Sequence, residues 1–317
     1  MSLRVAMKPG AEGLAPVLTA LLLDEPLPEG CRVVSERGRS IVVLAPLSTP
    51  GDGRRAYVKC DRPAWPRKLQ GSFRKTRCER EFLGLQRLLE VSEQVVEVLG
   101  WGERRAGFLG GRSALATVAV EGALDLRDFG RRLEAGQIHE SDRARLVASL
   151  PAHLRDLARI HEAGLRLYDG YDKNILYIPE ATGAAAFRRL DLPHLADHGR
   201  PLTRRQALRD LATLDKGLRR FLTPEERESL LATYLAERPE LGERDSLQRE
   251  IDAAVAALHK RTGWRGLIHR TRLRLRRKIG QASPPPTTPL VETLPAALAR
   301  DDNPRDESLQ AATDEGS

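Results

Sequence analysis

The sequence is poor in several residue types, and each shortage excludes a class of protein. Aromatic residues make up only 4% of the 317 residues, so leucine and alanine must fill most of the core. The three cysteines (Cys31, Cys60 and Cys78) are an odd number without metal-ligand spacing. They exclude a disulfide framework and a cysteine-bound zinc site, and they fit a reducing cytoplasm. No apolar run approaches the roughly 20 residues of a membrane-spanning helix. The best candidate, residues 14–23, predicts a short buried helix instead.

Positive charge is in surplus, and it is unevenly distributed. The formal net charge is +8, and residues 260–278 alone carry nine Lys or Arg and no acidic residue. Apolar residues recur there at helical spacing among the arginines, namely Trp264, Leu267, Ile268 and Leu275. Residues 260–278 therefore predict a basic amphipathic helix that binds an anionic membrane surface. Nucleic acid is the competing partner, but the rest of the chain has no stacking-aromatic or helix-turn-helix pattern, so no nucleic acid is expected.

The composition divides the chain into five regions. Residues 1–30 are a mixed N-terminal lead-in, residues 31–122 carry strand patterns, and residues 123–259 carry helix patterns. The basic amphipathic segment follows at 260–280, and residues 281–317 are rich in proline and acidic residues. A tail of that composition buries too little apolar surface to offset its conformational entropy, so we expect 281–317 to be disordered. The sequence gives no signal for an oligomeric state.

The periodic patterns place strands first and helices later. Strand-like apolar runs, the first three separated by turn and loop residues, predict strands at 31–36, 40–47, 55–60, 95–101 and 113–120. A helix from Ser72 to Glu90 is expected between the third and the fourth strand. Farther along, Ser141 is expected to cap a long helix that ends near Gly164, and Thr223 begins a capping box. Strands followed by helices predict an α+β fold with two segregated lobes.

A polar loop after the long helix carries a pair of residues suited to phosphoryl transfer. Asp169 and Asn174 are five residues apart in the stretch LYDGYDKNIL. The carboxylate of an Asp can accept a hydrogen bond from an attacking hydroxyl, and the amide oxygen of an Asn can hold a metal ion. Taken alone, the pair has a simpler interpretation, because Asp and Asn are common turn residues between a helix and a strand.

Three further residues extend this pattern. Asp191 ends a short strand 17 residues after Asn174, where its carboxylate could share a divalent metal with that residue. Lys59 lies in the middle of the third predicted strand, and Glu81 begins the apolar face of the helix that follows. The alternatives are a solvent-facing lysine on an edge strand and a glutamate in a surface ion pair.

The order of these features resembles the protein-kinase-like fold. The resemblance implies a small antiparallel-sheet N-lobe over residues 31–122 and a mostly helical C-lobe over 123–259. It also implies roles for the candidate residues. Lys59 would hold the α- and β-phosphates of ATP and pair with Glu81, and Asp169 would be the catalytic base. The magnesium ligands would be Asn174 and Asp191, and the adenine would lie along a hinge that includes Val118 and Val120.

Several short segments narrow the resemblance to one family. REFLGLQRL around Glu81, VEGALDLRDF after the hinge, LARIHEAGL before the loop and the block from 204 to 235 resemble the bacterial lipopolysaccharide kinase (Kdo/WaaP) family over residues 31–236. The resemblance implies an ATP- and Mg²⁺-dependent kinase that phosphorylates a heptose or Kdo sugar of the lipopolysaccharide inner core. Its location would be the cytoplasmic face of the inner membrane, with peripheral attachment. Asp210 resembles the buried aspartate that braces the catalytic loop in kinases.

Three positions depart from the usual kinase pattern. Leu167 replaces the usual histidine two residues before Asp169, Pro193 replaces a glycine two residues after Asp191, and the glycine-rich loop is reduced to Gly38. Two alternatives therefore stay open, namely a kinase with a protein or small-molecule acceptor and a catalytically inactive pseudokinase scaffold. Arginine clusters at 62–80 and at Arg204, Arg205 and Arg209 fit the rim of a cleft for an anionic acceptor, or simply a solvated basic face.

Overall fold

The computed structural model describes residues 2–37, 40–47, 53–62, 75–105, 111–168 and 170–259. The candidate base Asp169, the predicted basic segment 260–280 and the tail 281–317 lie outside the described residues. Residues 1–260 form one compact unit. Within the described ranges, no helix is both long and apolar enough to cross a membrane.

A six-stranded antiparallel sheet forms the N-lobe. Its strands are β1 (Ser2–Met7), β2 (Arg32–Arg37), β3 (Ser40–Pro46), β4 (Arg55–Asp61), β5 (Val98–Arg105) and β6 (Gly111–Val118). Their order in the sheet is β1-β5-β6-β4-β3-β2. In β4, buried and half-buried residues alternate strictly. Because successive side chains in a strand point to opposite faces, Val58 and Cys60 share one face of the sheet while Lys59 and Asp61 share the other.

The lead-in residues add a strand and a helix to this sheet. β1 pairs with β5 at one edge, and α1 (Ala15–Leu23) covers the face that carries Val58 and Cys60. Leu18 and Leu22 are fully buried there. The prediction of a short buried helix over residues 14–23 is confirmed. β1 was not predicted, because it is an edge strand and most of its residues are exposed.

The opposite face of the sheet is covered by α2 (Arg77–Leu89). Its N-terminus is capped by Thr76, whose side-chain oxygen accepts a hydrogen bond from the Glu79 N–H at 3.2 Å. The buried stripe of α2 includes Glu81, Leu85 and Leu88. This stripe holds Glu81 against the same face of the sheet that carries Lys59.

Helices dominate the C-lobe, as predicted. They are α3 (Leu126–Glu134), α4 (Glu140–Glu162), α5 (Arg204–Leu218), α6 (Pro224–Glu237) and α7, residues 244–259. Short strands lie between them, namely β7 (Leu124–Asp125), β8 (Leu165–Arg166), β9 (Ile175–Tyr177), β10 (Phe187–Arg189) and β11 (Ala196–Asp197). The capping box at Thr223 is confirmed. The N-cap of α4 is His139 and not Ser141, because the His139 ring accepts a hydrogen bond from the Ser141 N–H.

Two hydrophobic clusters stabilise the molecule. One lies between α1 and the sheet, and the other runs from α2 through the interior of the C-lobe. Val118, at the end of β6, packs against the first cluster, whereas Val120 packs against the second. The predicted hinge is therefore the point where the chain passes from one apolar core to the other.

Candidate active site

Lys59 and Glu81 form an ion pair between β4 and α2. The Lys59 Nζ lies 3.3 Å from Glu81 Oε2, and the Glu81 side chain is almost fully buried. Burial raises the pKa of Glu81 to about 7, although Lys59 acts against this shift. Burial also disfavours the charged form of Lys59, but Glu81 and Asp191 outweigh it and raise the pKa of the ammonium above its usual value. Because β4 lies between β3 and β6, the interpretation of Lys59 as an edge-strand residue is wrong.

Asp191 meets the same lysine from the C-lobe. Its Oδ1 accepts a hydrogen bond from Lys59 Nζ at 2.6 Å and a second from Arg77 Nη2 at 3.1 Å. Burial acts to raise the pKa of this carboxyl, but Lys59 and Arg77 outweigh it and hold the pKa below its usual value. The backbone of Asp191 adopts a φ of 55°, in the left-handed region that non-glycine residues rarely enter. Such conformations concentrate at functional sites.

Asn174 lies directly beside Asp191. It ends a 3-10 turn, Asp172–Asn174, and is almost fully buried. Its Nδ2 donates to the Asp191 carbonyl at 3.4 Å, and the Leu190 N–H donates to the Asn174 carbonyl at 3.0 Å. The sequence-predicted metal ligands are therefore neighbours in space.

The chemistry of these two residues fits Mg²⁺. They offer a carboxylate and an amide oxygen, the hard oxygen donors that this ion prefers. In the part of the chain that the structure describes, no group of three or more His, Cys, Asp or Glu residues could hold a metal ion. Mg²⁺ commonly takes only one or two protein ligands and completes its shell with water and phosphate oxygens. Asn174 and Asp191 would be those ligands.

The backbone before Asp169 is held by Asp210 and by a buried histidine beside it. Asp210, on α5, accepts a hydrogen bond from the Leu167 N–H at 2.7 Å, which confirms the predicted bracing contact. His161 Nε2 lies 3.4 Å from the same carboxylate oxygen, and its Nδ1 lies 2.7 Å from the Tyr234 hydroxyl. Burial lowers the pKa of His161, with Asp210 opposing the shift. Tyr168, which lies between Leu167 and Asp169, has a φ of 51°. The chain therefore reaches Asp169 through a constrained turn.

The far end of the loop is fixed by contacts that the sequence did not indicate. Asp172 accepts hydrogen bonds from Arg127, the closest at 2.6 Å between Nη2 and Oδ1. On its other side Asp172 packs against Gly217 of α5 so closely that a Cβ at residue 217 would lie 2.6 Å from Asp172 Cβ. No local pattern could have revealed either contact, because Arg127 and Gly217 lie 45 residues from Asp172 on either side in the sequence.

A buried polar cluster supports the strand that leads into Asp191. Arg189, on β10, forms a fully buried ion pair with Asp156 of α4. Ser92 Oγ donates to Asp156 Oδ2 at 2.7 Å, and His153 Nδ1 lies 2.6 Å from Gln94 Oε1. The cluster joins β10, α4 and the segment after α2. This cluster could not be predicted from the sequence, because nothing in FRRLDLP indicates that one of its arginines is buried.

α2 also contacts the segment that follows Asp191. A Cβ at Gly84 would lie 3.1 Å from the Leu192 carbonyl oxygen, so only glycine permits this approach without adjustment. Farther along the helix, Arg87 Nε donates to Asp197 Oδ2 at 2.8 Å. α2 is thus joined to the C-lobe as well as to the sheet.

The arginines proposed for the rim have different environments. Arg204 is committed to the C-lobe, because it donates to the Leu241 carbonyl at 2.6 Å and to Glu250 Oε1 at 2.9 Å. The prediction that it lines an acceptor cleft is therefore wrong, and its role is to join α5 to α7. Arg205 and Arg209 are exposed, and much of the 62–80 cluster lies outside the described residues.

The two-lobed fold and the convergence of Lys59, Glu81 and Asp191 define a class of protein, the kinase-like phosphotransferases. Comparison with a known family agrees with this class. Residues 32–234, more than half of the chain, match the lipopolysaccharide kinase (Kdo/WaaP) family. The chain therefore belongs to this family, whose members phosphorylate sugars of lipopolysaccharide.

Solved structures agree with the fold. The structure described as "WaaP in complex with acyl carrier protein" matches with a TM-score of 0.53 and 21% identity, over 80% of this chain and 99% of that one. A Neurospora crassa PAN3 pseudokinase mutant matches with a TM-score of 0.40 and 13% identity, over 87% of this chain and 76% of that one, too weakly to carry weight. Curated protein sequences gave no match.

Proposed function

We propose that this protein transfers the terminal phosphoryl group of ATP to a hydroxyl of a heptose or Kdo sugar in the lipopolysaccharide inner core. The observation that carries the proposal is the meeting of Lys59, Glu81 and Asp191 from three separate elements, with Asn174 alongside. A pseudokinase scaffold has no need for a charged lysine, a buried partner and a metal-binding carboxylate in one place.

Each residue would contribute by position and charge. Lys59, oriented by Glu81, would bind the phosphates of ATP, and Val118 and Val120 would contact the adenine. Asp191 and Asn174 would hold Mg²⁺, which neutralises phosphate charge when it is bound. Asp169 would orient the sugar hydroxyl and accept its proton. The loss of the usual histidine at Leu167 is offset by the hydrogen bond from the Leu167 N–H to Asp210, which fixes the loop through its backbone.

Turnover separates the enzyme from the scaffold. ATP consumption and phosphate transfer would be measured with Mg²⁺, with and without purified lipopolysaccharide core. Asp169→Asn and Asp191→Ala should abolish transfer, because one removes the base and the other a metal ligand. Asp245→Asn, which alters an exposed carboxylate on α7, is the control and should retain activity. Full activity in either of the first two variants would refute the assignment of the site, and ATP binding without transfer in the wild type would favour the scaffold.

We also propose that the enzyme works at the cytoplasmic face of the inner membrane, attached through residues 260–278. The support is the charge pattern, since a Lys or Arg near an anionic surface contributes about 1 kcal/mol. Replacing Arg272, Arg274, Arg276 and Arg277 with glutamine should weaken cosedimentation with vesicles that contain an anionic lipid. Binding of the wild type should fall as salt rises. Equal binding of both proteins would refute the attachment but not the kinase activity.

An acyl carrier protein is a candidate partner. We infer this from the neighbour of similar fold that was solved with one. Purified acyl carrier protein should coelute with this chain in gel filtration if the partnership holds, and separate elution at micromolar concentrations would argue against it.

A further inference from the structure

Arg77 forms a second ion pair between β4 and α2, beside that of Lys59 and Glu81. It is the first residue of α2, one helical turn before Glu81. Its Nε lies 3.5 Å from Asp61 Oδ2. Asp61 follows Lys59 by two residues, so both point to the same face of β4. The strand thus presents a cation and an anion, and the helix presents their two partners.

The Arg77 guanidinium reaches into the site as well. Its Nη2 lies 3.1 Å from Asp191 Oδ1, the same oxygen that accepts from Lys59. The Arg77 side chain is 45% exposed, whereas that of Lys59 is 20% exposed and that of Glu81 is 3% exposed. Arg77 is therefore the more exposed of the two cations that contact Asp191.

Binding of a metal ion by Asp191 would change these contacts, because Lys59 and Arg77 both donate to the same carboxylate oxygen. A divalent ion on Asp191 would compete with the Arg77 Nη2 for Oδ1 and would repel it. Asp61 would still hold the Nε end of the guanidinium, so Arg77 would stay at the site and its Nη groups would become available. A guanidinium presents its N–H groups as a planar fork that matches the oxygens of a phosphate.

The connection between β2 and β3 also bears on which group binds a phosphate here. The register of the first hairpin pairs Arg37 with Ser40, so only two residues connect β2 and β3. Two residues contribute at most two backbone N–H groups, whereas a phosphate cradle of the kind that glycine-rich loops provide uses several. A side-chain cation is the natural substitute.

We propose that Arg77 binds the terminal phosphate of ATP. The proposal rests on the proposed function and deepens it, because it assigns a residue to the phosphoryl group that is transferred. An anionic group on the acceptor sugar is the other ligand of the same chemistry, and the experiment distinguishes the two.

Nucleotide affinity provides the test. Dissociation constants of ATP and of ADP would be measured by calorimetry, with Mg²⁺ and without acceptor, for the wild type, Arg77→Gln and Arg77→Lys. Arg80→Gln is the matched control, since Arg80 is exposed on the same helix and its guanidinium bonds to the Lys75 carbonyl. Thermal unfolding without nucleotide would show that each variant is folded.

We expect Arg77→Gln to weaken ATP binding by about tenfold or more, the usual effect of losing a charged hydrogen bond, and to leave ADP binding within roughly threefold. Arg77→Lys should fall between, and Arg80→Gln should match the wild type. Equal weakening of ATP and ADP would overturn the proposal. Unchanged nucleotide binding with a raised KM for the core acceptor would overturn it in favour of the acceptor. A wild type that binds neither nucleotide would refute the proposed function itself, and the role of Arg77 with it.

Discussion

Replacing Gly217 with alanine tests the close contact between α5 and the loop that carries the candidate site. Gly217 lies in the last turn of α5, where an ordinary Gly→Ala change would stabilise a helix by about 0.5–1 kcal/mol. Here the new Cβ would lie 2.6 Å from Asp172 Cβ and 3.1 Å from its Cγ. Non-bonded carbons prefer a separation of roughly 3.5–4 Å, so the two elements would have to separate by about 1 Å.

Side-chain rotation cannot relieve this contact, because the Asp172 Cβ is attached directly to the backbone. Overpacking of this kind typically costs about 1–3 kcal/mol, which exceeds the helix-propensity gain by roughly 1 kcal/mol. A domain of this size then loses about 2–4 °C in Tm. Since Asp172 lies two residues before Asn174, the loop should also move, and a 1 Å displacement of reacting groups can lower a rate by about 100-fold.

The assay combines thermal unfolding with steady-state phosphate transfer to lipopolysaccharide core. Gly217→Ala should lower both Tm and kcat. Gly130→Ala is the matched control, since the nearest atom to its Cβ would be Phe221 Cδ1 at 3.3 Å, a side-chain atom and not an atom fixed to the backbone. The control should change Tm little and leave kcat intact. A Gly217→Ala protein that is more stable than the wild type and fully active would refute the contact and the reasoning built on it.

Two further predictions concern buried charged and titratable groups. Asp156→Asn should lower the free energy of unfolding by about 3–5 kcal/mol in urea denaturation, because it leaves Arg189 buried without its ion-pair partner. Replacement of both residues by apolar ones should lower this free energy clearly less, and equal losses would contradict this account. Burial lowers the pKa of His153, with Arg189 acting in the same direction, and burial lowers that of His161 too. Both rings then stay neutral in the folded state while the unfolded chain binds protons below about pH 6.5, so stability should fall with pH from there by up to about 1.4 kcal/mol per unit for each ring. His153→Asn, whose amide can keep the bond to Gln94, should make that decline shallower in urea titrations between pH 7.5 and 5.5, and an identical slope would count against the assignment.

The order of motifs was enough to predict which residues meet at the site. Lys59, Glu81, Asn174 and Asp191 each lie on an element with a clear period or turn signal, and a known fold gives the arrangement of such elements. The meeting of these residues therefore followed from local patterns combined with the topology of a known fold.

Contacts between distant elements could not be predicted in the same way. Arg77 was predicted only to be one member of a basic cluster. Nothing near it in the sequence indicates that Asp191, 114 residues away, is its partner. No prediction was possible for Arg189, since burial of a charge depends on a partner from another element. β1 was missed because an exposed edge strand carries no strong alternation, and Arg204 was misplaced because its acceptors lie on later elements.

The contacts of α2 bear on how the site can open. Gly84 brings the helix against the Leu192 backbone, and Arg87 pairs with Asp197. An inactive state in which the helix swings outward would break both contacts. It would also expose the apolar stripe of α2, and each large apolar side chain returned to water costs roughly 1.5–3 kcal/mol.

The cluster beneath α1 has no comparable attachment, because its buried residues come from the N-lobe alone. The other face of the sheet, which carries Lys59, contributes Trp101 and Leu115 to the same cluster as α2 and the C-lobe. Lys59, Glu81 and Asp191 are therefore held around one continuous apolar core, and a movement that separates them has to open that core to water.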